Sequence, residues 1–403
     1  MNPLVPVLLA SLLTQPPAPC RFESVEFEKG LTVGYAVHLC DINHDRKPDI
    51  VVVDSHRVLW YENPTWKPRT ILRGKTKPDN VCIADLDIDG DGLTDLVLGA
   101  DWKPFNTRSG GTLHWLKRGK TLDEEWSLFP IGEEPTAHRV RVADLKGDGK
   151  PAIVLGPLMG RDSSAKGNWM DGRPVRLLAY PIPADPVRGP WVPEVIDESL
   201  HVVHNLWPIP RDPANPRLGF DLLTASYGGV HRFAWHNNAW SKRQLGSGNQ
   251  DTPTGKRGAS EIKLGRLKNG KTYLATIEPW HGDQVVVYTE PTEPGQLWNR
   301  HVVDDQLKWG HAVWCADLTG DGNEELIIGV RDTLAEEPGK RCGVRVYYPT
   351  APDGSKFVRQ IVEDGGVAVE DLTAADLDGD GRVDLVAVGR RTGNGRIYWN
   401  KGR

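Results

Sequence analysis

One stretch recurs along this chain: an apolar strand, an Asp-rich turn and a second apolar strand. It reads VHLCDINHDRKPDIVVV at 37–53, VCIADLDIDGDGLTDLVLG at 81–99, VRVADLKGDGKPAIVLG at 140–156, VWCADLTGDGNEELIIG at 313–329 and LTAADLDGDGRVDLVAV at 372–388. Two divergent copies fill the long gap between the third and fourth of these. NLWPIPRDPANPRLGFDLLTAS (205–226) keeps both strands around a Pro-rich turn, and EIKLGRLKNGKTYLATI (261–277) keeps them around a basic one. An aromatic third strand follows each copy, from VLWYEN at 58–63 to RIYWNKG at 396–402, and six copies then have a fourth strand. The seventh copy reaches Arg403 before its fourth strand, whereas RFESVEFE at 21–28 alternates like a strand and has no unit of its own. Four-stranded units at this period predict an all-β, seven-bladed propeller. The N-terminal strand is expected to complete the last blade, since an open ring would expose apolar faces and unpaired edges. Strand runs without helical periodicity exclude a βαβ fold.

The 403 residues form one repeat domain over 20–403, with 1–19 read as an export signal. Residues 4–13 are nearly all apolar, too short a run to span a bilayer as a helix but fitting the core of a secretory leader. The expected location is therefore outside the cytoplasm. Cys20 sits where a lipoprotein cysteine would, although Pro19 fits that role poorly, so a lipid anchor is the lesser expectation. None of the five cysteines forms a C-x-x-C pair. Cys40, Cys82 and Cys315 fall inside strand patterns and read as small buried hydrophobes, with disulfide pairing left open in an exported chain. Net charge is −5 with no basic stripe, which argues against a nucleic-acid partner.

The turns between first and second strands carry oxygen-bearing side chains at positions 1, 3, 5 and 9. The sets are Asp41, Asn43, Asp45 and Asp49; Asp87, Asp89, Asp91 and Asp95; Asp317, Thr319, Asp321 and Glu325; and Asp376, Asp378, Asp380 and Asp384. So many carboxylates in nine residues repel unless a hard cation lies among them, and calcium, with six to eight oxygen ligands, suits such a turn. An EF-hand is excluded, because its twelfth position falls on Val52, Leu98, Ile328 or Ala387, all within strands. The Asp144 turn has Lys146 at position 3, whose ammonium is expected to stand in for the ion. These turns resemble FG-GAP/VCBS repeats, as in integrin α-subunit propellers and many exported bacterial proteins. That resemblance implies a propeller with calcium loops and says little about activity.

The other ends of the innermost strands bring one residue per blade to the channel mouth: Tyr35, Asp79, His138, His204, Ser260, His311 and Glu370. The next column adds Asn80, Arg139, Asn205, Glu261 and Asp371. All are polar, which predicts a polar cavity. The second-to-third-strand loops reach the same face with Trp102, Lys103, Tyr227, Trp280, His281 and Arg331. Aromatic faces beside charged hydrogen-bonding groups suit a carbohydrate or other small polar ligand. Histidines beside Glu and Arg also suit acid–base chemistry near neutral pH, and a divalent transition metal is a further expectation at the histidine cluster.

The segments HNLW (204–207), SEIKLG (260–265), TIEPWHG (276–282) and GHAVW (310–314) are similar to the propeller domain of the aldos-2-ulose dehydratase family. Members of that family pair the propeller with cupin domains and eliminate water from keto-sugars. The cupins are missing from this sequence, so the resemblance carries the elimination alone. It implies His138 or His204 as the base, with Arg139 or a metal on His204, His281 or His311 steadying an enolate. Glu370 or His311 would protonate the departing hydroxyl. The competing expectation is a non-catalytic module binding glycan or protein on the same face. A catalytic centre should bring two histidines within reach of one point, whereas a binding platform should spread them around the rim.

Overall fold

Each repeat folds into one four-stranded antiparallel sheet, and seven such sheets make up the ring. The computed structural model describes residues 18–331 and 338–403; most of the predicted leader lies outside them. Blade 1 runs Gly34–Cys40, Asp49–Asp54, Arg57–Glu62 and Lys67–Arg73 from the axis outward, and the others repeat this order. The inner strands of blades 2 to 6 are Cys82–Leu86, Ala137–Ala143, Val203–Pro210, Lys263–Arg266 and Gly310–Ala316.

Blade 7 takes three strands from the C-terminal end, Val369–Ala375, Asp384–Gly389 and Gly395–Asn400, and its outer strand, Phe22–Glu28, from the N-terminal end. Phe22 lies opposite Asn400 and Glu28 opposite Gly395. The expected closure is thus present, built from main-chain hydrogen bonds between chain ends.

The second strands are buried on both faces, which is why they read as unbroken Val, Ile and Leu. Third-strand aromatics such as Trp60 and Trp115 fill the wedges between sheets. Each removes roughly 200 Å² from water, worth about 5 kcal/mol before chain entropy is subtracted. Gly329 closes a second strand because a β-carbon there would lie 2.4 Å from Val369 of the next blade.

All five cysteines are free thiols, so the disulfide alternative falls away. Cys20 is buried, its amide donating to the Tyr348 hydroxyl at 3.0 Å and its sulfur to the Leu318 carbonyl at 3.3 Å. A lipid on that sulfur would displace these contacts. No helix among the described residues is long and apolar enough to cross a membrane.

Candidate functional site

The two ends of the inner strands carry different chemistry. At one end, the first aspartate of each acidic turn holds its own loop. Asp87 accepts the amides of Gly90 (2.8 Å) and Gly92 (3.0 Å), and Asp376 those of Gly379 and Gly381, both at 2.8 Å. Gly90 and Gly92 have φ of 74° and 82°, a left-handed conformation that a β-carbon disfavours. The position-9 carboxylates are buried and tie turn to third strand. Asp95 accepts from Ile88 (3.3 Å) and Arg118 (2.9 Å), and Asp384 from Leu377 (3.1 Å) and Asn400 (2.8 Å). Burial pushes Asp49, Asp95 and Asp384 up to about 6 and Glu325 up to about 8.

Carboxylate oxygens of Asp87, Asp89 and Asp95 lie within 4.8 Å of one another, as do those of Asp376, Asp378 and Asp384. Oxygen-only donors of this kind fit a hard cation. Asp91 and Asp380 stand outside these groups: Asp91 faces the Lys117 ammonium at 2.8 Å, and Asp380 pairs with Arg382. In the first turn Asp41 and Asn43 both accept the Asp45 amide at 3.1 Å. In the sixth, Thr319 donates to Glu325 at 3.4 Å, and Asp321 meets Arg403 at 3.4 Å. Among the described residues neither of these turns gathers three carboxylates so closely.

The expectation for Lys146 is corrected. Its ammonium swings out to Glu194 at 2.6 Å and over the Trp235 ring, where an anion and an aromatic face are both available. It is Lys117, on the third strand of blade 2, that sets an ammonium between Asp89 and Asp91.

At the other end four imidazoles meet near the axis. The ring centroids of His138 and His204 are 4.8 Å apart, those of His204 and His281 4.4 Å, and those of His281 and His311 4.8 Å. Backbone carbonyls define the tautomers. His138 Nδ1 lies 3.1 Å from the His204 oxygen, His204 Nδ1 3.1 Å from the Ser260 oxygen and His311 Nδ1 2.5 Å from the Glu370 oxygen. Each Nδ1 therefore carries the proton and leaves Nε2 as a lone pair. His281 is reversed: Arg331 donates to its Nδ1 at 3.3 Å, and its Nε2 donates to His204 Nε2 at 2.6 Å.

Burial lowers the pKa of all four, most strongly for His138, His281 and His311, with the Arg139 and Arg331 charges adding to it. The cluster is neutral at physiological pH. Ligand nitrogens of His204, His281 and His311 lie within 4.8 Å of one another. His204 and His311, each with Nδ1 held by a carbonyl, offer the Nε2 lone pairs that a transition metal such as zinc takes, and His281 would join them by giving up its Nε2 hydrogen bond to His204.

Charged groups ring the cluster. Glu261 Oε1 is 2.8 Å from His204 Nδ1 and 3.6 Å from Arg139, and Asn205 donates to the same carboxylate. Burial alone would raise Glu261, but the His204 hydrogen bond and the nearby cations hold it below the usual carboxylate range. Glu370 is clamped by Arg331 at 3.2 Å and Arg390 at 2.9 Å. Arg139 Nη1 lies 3.2 Å from His138 Nε2.

Where a polar cavity is predicted at the channel mouth, the first column of polar residues forms a closed layer. His138, His204, His311 and Glu370 are 6%, 1%, 2% and 5% exposed, because seven inner strands converge tightly enough for these side chains to bond across the axis. Half-buried Trp280, His281, Arg331 and Arg390 form its outer edge. Trp102 packs on His138 (centroids 4.9 Å apart) and Trp280 stacks on His281 (4.3 Å).

Two expected contributors lie elsewhere. Lys103 is exposed and pairs with Asp101 at 2.9 Å, and Tyr227 is buried behind Trp280. Two contributors escaped sequence reasoning. Arg390 occupies the same second-to-third-strand loop as Arg331 one blade on, a correspondence that could have found it. Lys256 lies over Trp309 at 3.6 Å from the long connection before blade 5, which the repeat does not cover.

Residues 110–291 match the family model for the aldos-2-ulose dehydratase β-propeller domain. The aldos-2-ulose dehydratase of Phanerodontia chrysosporium is 24% identical over 367 residues, which are 86% of this chain and 39% of the relative. The chain thus spans about two fifths of the length of the curated relative it matches. Solved structures share the fold at low identity. A chain of the mitotic checkpoint complex gives a TM-score of 0.56 at 11% identity, covering 100% of this chain and 99% of that one. BBS1N from its complex with ARL6DN gives 0.54 at 16%, covering 94% and 96%. The extracellular domain of the putative one component system BT4673 from B. thetaiotaomicron gives 0.51 at 13%, covering 94% and 39%. This chain is a seven-bladed β-propeller similar, over its central part, to the propeller domain of aldos-2-ulose dehydratase.

Proposed function

We propose that this propeller is a carbon–oxygen lyase that removes water from a keto-sugar at the histidine layer. The observation that carries the reading is the convergence of His204, His281 and His311 on one point, as expected of a catalytic centre and not of a rim of separate contacts. The similarity to a dehydratase propeller supports the substrate class.

The substrate approaches past the half-buried edge of Trp280, His281, Arg331 and Arg390. The Trp280 face takes the sugar C–H groups, while Arg331 and Arg390 bind hydroxyls. His138 removes the proton α to the ketone through Nε2, exchanging its hydrogen bond from Arg139 for the substrate. Arg139, 3.2 Å from that nitrogen, steadies the enolate oxygen that develops. The imidazolium so formed returns its proton to the departing hydroxyl, because burial disfavours the charged ring. Glu261 and Glu370 hold the surrounding His and Arg in place. His204, His281 and His311 would hold a divalent transition metal, which supplies Lewis-acid polarisation of the carbonyl when bound.

At the opposite face, the turns of Asp87 and Asp376 serve as calcium sites of the FG-GAP/VCBS type, and the protein works outside the cytoplasm. The test is incubation with an aldos-2-ulose, following water loss by mass spectrometry and enone absorbance. Wild type should turn over and His138→Ala should not. Tight sugar binding without water loss would overturn the lyase reading in favour of a glycan-binding module.

A further inference from the structure

Beneath the histidine layer the channel holds a cavity of about 370 Å³. Arg139, Asn205 and Glu261 line its inner end, and Asp85, Pro208 and Phe220 the end toward the acidic turns. His38 and Asp85, on that wall, have side chains 30% and 42% exposed, so the cavity communicates with solvent at the acidic-turn end.

Lys263 stands in this wall, only 5% exposed. Its Nζ lies 3.6 Å from the Trp207 ring centroid and 5.0 Å from that of Trp314. Among the described residues that nitrogen makes no hydrogen bond or ion pair, only the ring contacts. A buried ammonium with no carboxylate hydrogen-bonded to it is costly, and the Glu261 and Asp371 charges offset that cost only from a distance. A second cation lies beside it: Arg141 donates through Nη1 to the Val140 carbonyl at 2.7 Å and through Nη2 to Asn205 at 3.3 Å, its buried Nε has no acceptor, and its guanidinium lies 5.3 Å from the same Trp207 ring. The charged and titratable groups facing Lys263 are Arg141, Glu261, Asp371 and the Cys315 thiol. Burial, with the Arg141 charge adding to it, brings Lys263 down to about 7, so free amine is abundant at neutral pH.

We propose that this cavity is a second ligand site, separate from the histidine layer, in which Lys263 captures the carbonyl of a small 2-oxo acid whose carboxylate Arg141 receives. The amine nitrogen attacks the carbonyl carbon. The carbinolamine then expels the former carbonyl oxygen as water together with both amine protons, leaving a C=N bond, with nothing oxidised or reduced. Trp207 offers the flat face for the planar adduct. The proposal does not depend on the elimination chemistry above.

The experiment uses the full chain with pyruvate and sodium cyanoborohydride at pH 7, followed by peptide mapping. The expected result is a reduced carboxyethyl adduct on Lys263 at more than about tenfold the level on any other lysine. Its labelling rate should level off above about pH 8, while surface lysines keep accelerating. Lys263→Met, which keeps an apolar stem beside Trp207, should melt like wild type and lose the adduct. Arg141→Met should slow capture of pyruvate more than capture of acetone. Even labelling across the lysines of folded wild type would overturn the site, a reading that needs no variant to fold. Equal capture of acetone and pyruvate by wild type would overturn the oxo-acid assignment.

Discussion

The acidic turns and the histidine layer sit at opposite ends of the same inner strands but are assembled differently. Each acidic turn is complete within nine consecutive residues: Asp87 caps its own loop and Asp95 anchors it to the neighbouring strand of its own blade. The histidine layer draws His138, His204, His281 and His311 from blades 3, 4, 5 and 6, and its tautomers are defined by carbonyls one blade away. A local motif survives changes elsewhere in the ring, whereas a composite one depends on every blade keeping its angle.

Removing the Phe22–Glu28 strand tests that dependence most severely. It strips the outer strand from blade 7 and exposes the edge of Gly395–Asn400, so more aggregation than the intact chain shows is expected by light scattering. Turnover is next. His138→Ala should lower kcat on a keto-sugar by roughly 10²- to 10⁴-fold at nearly unchanged melting temperature, while Asp376→Asn should leave kcat within about twofold.

Acid offers a third contrast. The four imidazoles have folded pKa values below the ordinary 6.5, so the unfolded chain takes up protons first as pH falls. Stability contributed by their neutrality is present above about pH 6.5 and is lost as pH falls below it. The buried turn carboxylates act in the opposite sense. Asp95 and Asp384, raised to about 6, weaken the fold as pH rises from about 4 to 6. Denaturant melts of wild type and a His138→Gln/His311→Gln variant should separate the two, the variant losing less between pH 7 and 5.

Smaller effects belong to the turns. Millimolar calcium should raise the melting temperature by about 3 °C, reversibly with chelator, and Asp87→Asn with Asp376→Asn should abolish the shift. Smallest is Lys117→Met. Its ammonium competes for Asp89 and Asp91, so removal should tighten calcium binding at the second turn by about threefold in calorimetry.

Sequence reasoning did well where a feature repeats in register. The Asp-x-Asp-x-Asp turns and the spare strand at 21–28 led to blade number and closure, because each is a short-range pattern. Aligning the repeats also placed His138, His204 and His311 at one level. It misplaced Lys146 and overlooked Lys117, since which lysine reaches a turn depends on the third strand beside it. It also took Lys103 and Tyr227 for contributors, because a loop's position does not reveal which way its side chains turn.

What the chain determined by itself was therefore the count of sheets, their alternation and the acidic loops, all encoded within tens of residues by strand periodicity and turn geometry. What only the tertiary structure decided was that polar residues at the channel mouth lock into a closed neutral layer, and that Lys263 lies between two indoles over a cavity. Both depend on the radius at which seven sheets close, a distance set by wedge packing between blades and written in no single repeat.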